Sequence, residues 1–138
     1  MMPEGLLMEE VKLANGLSLF IYDQSRPLAG DRWLVKLLLF IPIKIKSEHF
    51  AHVHDAKRAY GAFVDAMGDE IAMQQPRMRN FINHKDMQET LMQIKEDVLT
   101  AILPYVSNPD FEARFIKKRY GEWCAEQKLE QAQSKPFR

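Results

Sequence analysis

From Trp33 to Ile45 every second residue is apolar: Trp33, Val35, Leu37, Leu39, Ile41, Ile43 and Ile45. Successive side chains of an extended chain point to opposite faces, so this set lines one face without a break. The opposite face reads Leu34, Lys36, Leu38, Phe40, Pro42 and Lys44, apolar only in its middle. A segment with one continuous and one partial apolar face belongs in the interior of a sheet. Pro42 lacks a ladder donor, so a bend or an edge is expected there. The run is also too short, and too interrupted by Lys36, Pro42 and Lys44, for the roughly 20 apolar residues of a spanning helix, so no membrane partner is expected.

A sheet needs partners for such a strand, and the preceding residues supply them. Asn15 and Gly16 mark a turn between two β-prone runs, Val11–Leu13 and Leu17–Tyr22. A two-residue loop would set Lys12 against Leu19 and Glu10 against Ile21, mixing charge into the apolar face. A three-residue loop, Ala14 to Gly16, sets Leu13 against Leu17 and Val11 against Leu19. Only the second choice lines Val11, Leu13, Leu17, Leu19 and Ile21 on one face, with Gly16 in a left-handed bulge position. The connector from Gln24 to Asp31, punctuated by Pro27 and Gly30, then leads into the central strand.

From Asp55 the period changes to that of a helix. Ala56, Ala59, Tyr60, Phe63, Val64 and Met67 repeat at helical spacing, with Asp55 as N-cap and Gly68 past the end. Residues Glu70 to Phe81 are at best a polar edge strand, given Pro76, Arg77 and Arg79. Met87, Leu91, Ile94, Val98, Ala101, Ile102 and Tyr105 draw a second helical stripe, capped at or near Asn83. Asn108 and Pro109 open a third helix whose core face is Phe111, Phe115, Ile116, Tyr120 and Trp123. The expected fold is α+β: an N-terminal antiparallel sheet of three to four strands, hairpin plus long central strand, with three helices packed on one face. Residues 1–130 are expected to form one domain, and residues 131–138 a frayed polar tail.

Lys plus Arg and Asp plus Glu both number 19, giving no net charge. That leaves no electrostatic footprint for nucleic acid, which is not an expected partner. The basic residues Arg114, Lys117, Lys118 and Arg119 are interrupted by Glu112, Glu122 and Glu126, the pattern of a solvated helix face. Absent net repulsion, self-association costs less than usual, and a homo-oligomer, most simply a homodimer, is expected; a separate protein partner would also fit. Cys124 is the only cysteine, which suits a reducing, cytoplasmic compartment, and the first residues do not read as a signal peptide. Beside Trp123 on an apolar helix side, it reads as a packed thiol rather than a nucleophile.

Two clusters could carry chemistry. His49, His52 and His54, with Asp55, could bind zinc through neutral imidazoles, His52 and His54 sharing one side of an extended segment. Polar loop residues ahead of a capped helix explain the same pattern, and no cofactor is expected. Ser25, Arg26, Asp31 and Arg32 flank the central strand, and their two guanidiniums could hold a carboxylate or phosphate. Here too an Asp31 pair with Arg26 or Arg32, locking the connector, explains the residues. No nucleophile elbow, phosphate loop, dinucleotide fingerprint or zinc-protease motif occurs.

Asn15, Gly16 and Leu17, then Asp23, Ser25 and Arg26, then Ala29 through Trp33 with Val35 resemble a small group of bacterial α+β proteins of similar length with no assigned function. The resemblance implies that the hairpin and the Gly30–Trp33 connector are fixed features of the fold, and it implies no activity. The leading functional expectation is a non-enzymatic binding or assembly module. The rival is a small metal-dependent or anion-binding enzyme built on His49–Asp55 and the Arg26/Arg32 pair.

Overall fold

The computed structural model describes residues 2–134, and these divide into two compact units. One takes the chain up to Ile43 and returns for Ala72–Pro109; the other takes Lys44–Ile71 and the chain from Asp110 onward. The fold is α+β, with an antiparallel sheet and three helices.

The first unit is built on strands β1 (Leu6–Lys12), β2 (Ser18–Asp23), β3 (Arg26–Ala29) and β4 (Arg32–Lys44), joined by β5 (Glu70–Asn83) and helix α2 (Met87–Val106). The expected three-residue turn is present: Val11 faces Leu19, Leu13 donates to the Leu17 carbonyl at 2.9 Å, and Gly16 has φ +90°. Strands β2 and β3 are two lengths of one path along β4. Phe20 to Asp23 pair with Phe40 to Leu37, and Arg26 and Pro27 continue in the same register against Leu34 and Trp33. Between them the Gln24 amide donates to the Lys36 carbonyl, and the Lys36 amide donates to Ser25 Oγ at 3.0 Å. The hydroxyl thus stands in for a ladder carbonyl where the path kinks.

Strand β5 pairs with the other side of β4. Ile45 donates to the Asp69 carbonyl at one end and His84 donates to the Asp31 carbonyl at the other, so the two strands run antiparallel. The polar edge strand expected over residues 70–81 is therefore real and longer than expected. The sheet has five strands rather than three to four, since the Pro27 connector also pairs.

One face of the sheet carries Leu19, Ile21, Val35, Leu37, Leu39, Ile41 and Ile43, all fully buried. The second face is better covered than its sequence suggests. Tyr22, Leu38 and Phe40 are buried with Phe20 and Ala72 packed against them, and the Tyr22 and Phe40 rings meet edge to face at 6.5 Å. Cross-strand pairing sets the aromatics of β2 beside those of β4, a neighbourhood invisible in either strand alone. In α2 the expected stripe holds for Leu91, Ile94 and Val98, but Tyr105 is exposed and Val106 is buried instead. A seven-residue spacing drifts around a helix, and by the last turn the inward position has passed to the next residue. Helix α2 begins at Met87 after a 3₁₀ turn, His84–Asp86, so Asn83 precedes the turn rather than the helix, and its side chain makes no capping bond.

The second unit holds a 3₁₀ turn (Ser47–Phe50), α1 (Ala56–Met67) and α3 (Phe111–Ser134). Its core is aromatic. The Phe50 ring meets Tyr120 at 5.0 Å, Tyr60 at 5.7 Å and Phe63 at 5.9 Å, and Phe63 meets Tyr120 and Trp123 at 5.5 Å each. Edge-to-face packing of this kind adds about 0.5–1.5 kcal/mol per pair beyond area burial. Gly68 ends α1 with φ +84°, as expected. Asp55 precedes α1 in a left-handed conformation, φ +56°, and its side chain makes no capping bond. An Asp tolerates that conformation, which here turns the chain instead of capping it. Helix α3 starts two residues later than expected, the Arg114 amide donating to the Asp110 carbonyl, because Asn108 and Pro109 lie in the turn. Its helical path continues through Gln131 to Ser134; residues 135–138 of the expected tail lie outside the described residues.

Candidate functional site

Of the two clusters singled out in the sequence, Ser25, Asp31, Arg32 and His49 are engaged in local structure. Ser25 accepts from the Lys36 amide through its hydroxyl and donates its own amide to Asp23 Oδ1 at 2.9 Å. Arg32 bonds Asn83 Oδ1 and lies 3.9 Å from Asp31, whose carbonyl receives the His84 amide. The Trp33 ring, partly buried, packs on the His84 ring at 5.5 Å. These contacts fasten the β3–β4 tip to the end of β5. Arg26 is exposed on β3 and is not joined to this set.

The histidines are not brought together. His52, His54 and Asp55 are exposed, whereas His49 is buried in the second unit. His49 Nδ1 accepts from the Lys46 amide at 3.1 Å, and Nε2 lies 3.2 Å from Glu112 Oε2. Among the described residues the set that could hold a metal is Glu48, His49 and Glu112, with candidate atoms within 4.8 Å of one another. Two features stand against that use. A ring whose Nδ1 accepts a backbone N–H carries its proton on Nε2, so coordination through Nε2 would break one of the two bonds. Lys46 Nζ, 3.5 Å from Glu112, already supplies a cation. With both ring nitrogens occupied, His49 also has no free nitrogen to serve as a base. The arrangement ties the 3₁₀ turn to α3. Glu112 lies 63 residues from His49, and no local pattern announces the pair.

Two further ionisable groups are perturbed for structural reasons. The Lys12 ammonium, bonded to Glu10, holds that carboxyl below the usual carboxylate range. The Tyr120 hydroxyl is pushed up first by its hydrogen bond with the Cys124 thiol and then by burial. Cys124 itself is half-buried, one turn along α3 from that ring.

A different site emerges from strand β5. Its inner half carries Ile71, Ala72 and buried Met73, but from Arg77 to Phe81 every residue is exposed. Arg77, Met78 and Arg79 form one wall of a groove whose other wall is the α2 stripe Ile94, Asp97, Val98 and Ala101, enclosing about 310 Å³. The spacing of the helical residues, i, i+3, i+4 and i+7, gives a straight, mostly apolar wall along α2. Arg77 donates to the Pro76 carbonyl at 2.9 Å, which turns its guanidinium along the strand. Asp97 accepts from the Gln93 amide at 2.9 Å. Among the described residues no carboxylate pairs with Arg77 or Arg79. Just beyond the groove Phe81 is 70% exposed and sits at φ +58°, a conformation that a bulky side chain rarely adopts. The groove therefore sets two guanidiniums without a carboxylate partner, and the Asp97 carboxylate on the facing wall, beside the apolar Met78, Ile94, Val98 and Ala101. Sequence reasoning treated Arg77 and Arg79 only as signs of an edge strand; their i, i+2 placement on either side of Met78 was the available signal.

No family model matches the chain, and neither a curated protein nor a solved structure is similar to it. Among the described residues no helix is long and apolar enough to cross a membrane.

Proposed function

We propose that this chain is a non-enzymatic binding or assembly module whose docking face is the groove between β5 and α2. One observation carries the reading: two guanidiniums without a carboxylate partner border a mostly apolar groove of about 310 Å³. Ligand sites join an apolar surface to a few convergent polar groups, and this groove has both. Arginine pairs bidentately with carboxylates, so the fitting ligand is anionic and partly apolar. The enzyme alternative has no comparable support, since His49 is spent on Lys46 and Glu112, and Ser25, Asp31 and Arg32 on fastening β3, β4 and β5.

A fluorescently labelled peptide of alternating leucine and glutamate, titrated in an anisotropy measurement, tests the reading. It is expected to bind the wild-type chain and to lose at least tenfold in affinity to Ala101→Glu, which sets a carboxylate at an exposed helix position facing the two arginines. A version with lysine for glutamate is expected not to bind. Equal affinity of wild type and Ala101→Glu for the acidic peptide would sink the proposal.

A further inference from the structure

Arg77, Met78 and Arg79 follow one another on an extended strand, so their side chains alternate between its two faces. A groove that touches all three therefore meets β5 along its edge and not over one face. That edge is open, since β5 pairs only with β4. On the side of a strand away from its partner, every second residue presents an N–H and a C=O to no neighbouring strand. Pro76 has no donor to offer, and at the other end Phe81 leaves extended geometry. The usable edge is thus Arg77 to Asn80, about 13 Å at the usual strand rise. The facing wall from Ile94 to Ala101 is about 10 Å long at the usual helix rise, so edge and wall match over one short stretch.

We infer that the ligand of the β5–α2 groove is an extended segment of a partner protein, alternately acidic and apolar, which adds to β5 as a further strand. The inference rests on reading the groove as the docking face. Strand addition joins the open edge to the groove: backbone hydrogen bonds hold the segment, and alternate side chains select it. A partner helix cannot use the edge in this way, because its own backbone groups are bonded internally.

The pleat accounts for the alternation. Residues of the added strand opposite Arg77 and Arg79 share one face, and the residue opposite Met78 lies on the other. Carboxylates on the first face meet two guanidiniums that lack a carboxylate partner among the described residues, and an apolar side chain on the second meets Met78. Asp97 limits where that charge can go. It lines the opposite wall, so a carboxylate set against α2 instead of β5 meets a like charge. Asp97 is therefore a specificity residue that admits acidic side chains only on the β5 side. Four residues of open edge make few hydrogen bonds, and the contact is short and reversible.

Anisotropy titrations of the full chain with the labelled leucine–glutamate peptide and two N-methylated versions test this. One version carries its methyl groups on the leucine amides, the other on the glutamate amides. In a given strand direction only one set of amides faces β5. One version should therefore lose about tenfold in affinity, equivalent to one or two hydrogen bonds, and the other should stay within about threefold of the parent. Both versions binding like the parent, or both losing equally, overturns strand addition and leaves the groove as a docking face. A parent peptide that does not bind sinks the docking face as well. Amide hydrogen exchange gives an independent measurement: saturating peptide should slow exchange within Arg77–Asn80 by about tenfold or more, and unchanged exchange there overturns the inference. Asp97→Asn, which removes the like charge at nearly constant size, should tighten binding of the parent peptide about threefold or more. Equal or weaker binding overturns the role given to Asp97.

Discussion

Strands β4 and β5 lie side by side, are of nearly equal length, and have opposite fates. Of the thirteen residues of β4 only Arg32 and Lys44 are exposed, whereas β5 buries Met73 alone. The difference does not come from strand length or from hydrogen bonding to a neighbour, since both have them. β4 is flanked on both sides, by the β2–β3 path and by β5, while β5 pairs only with β4. A strand flanked on both sides loses solvent along its edges and gains cross-strand side-chain neighbours on both faces. An edge strand must guard its open side, and β5 does so with Pro76, Arg77, Arg79 and a left-handed Phe81. The same devices that guard the edge also place two guanidiniums on the groove beside α2, so the guarding residues are the ones the proposed docking face would use.

Substitutions at four positions probe this contrast. The largest effect belongs to β4: Ile41→Ala removes a fully buried side chain, and about 2–5 kcal/mol of stability should be lost in a denaturant titration. A loss below 1 kcal/mol would mean that the two strands differ less than their burial implies. At the hairpin that delivers β2 to β4, Gly16→Ala should cost about 1 kcal/mol, and Gly16→Asn less, because Asn tolerates positive φ. Space is not the obstacle there, since a Cβ at Gly16 would meet nothing within 4 Å. On β5 the sign should reverse. Phe81→Asn relieves a bulky side chain from left-handed geometry, and a gain of up to about 1 kcal/mol is expected. Any marked loss would show that the exposed ring is packed in solution. Smallest of all, Met78→Ala on the exposed outer half should shift stability by no more than about 0.5 kcal/mol.

Much of the fold was legible because it depends on short-range patterns. The period-two run of β4 identified a central strand, and the apolar faces of the two hairpin strands selected a three-residue loop over a two-residue one. Helix α1 announced itself by its spacing and its closing glycine. What was illegible depends on residues distant in the chain. The covered second face of the sheet needs Phe20 and Tyr22 beside Leu38 and Phe40, and the His49 environment needs Glu112. The histidine cluster was misleading for a related reason. Closeness in sequence let His52 and His54 stand together with His49, but a 3₁₀ turn directs His49 inward and leaves the other two exposed. The groove was missed because its walls are a strand and a helix, each ordinary alone.

Asn15 has a consequence for the order in which the first unit assembles. Its Oδ1 accepts from the Leu17 amide, closing the hairpin locally, while its Nδ2 donates to the Val106 and Asn108 carbonyls at 2.8 and 3.0 Å. One side chain therefore completes a turn that spans two residues and a loop that spans 91. The local bond can form within the microseconds typical of hairpin closure. The distant ones must wait until the intervening chain has paid its closure entropy. The carbonyls at the end of α2 stay with water until then. The tip of the hairpin thus acts as a latch that shuts last, slowing the opening of the finished unit more than it hastens its formation.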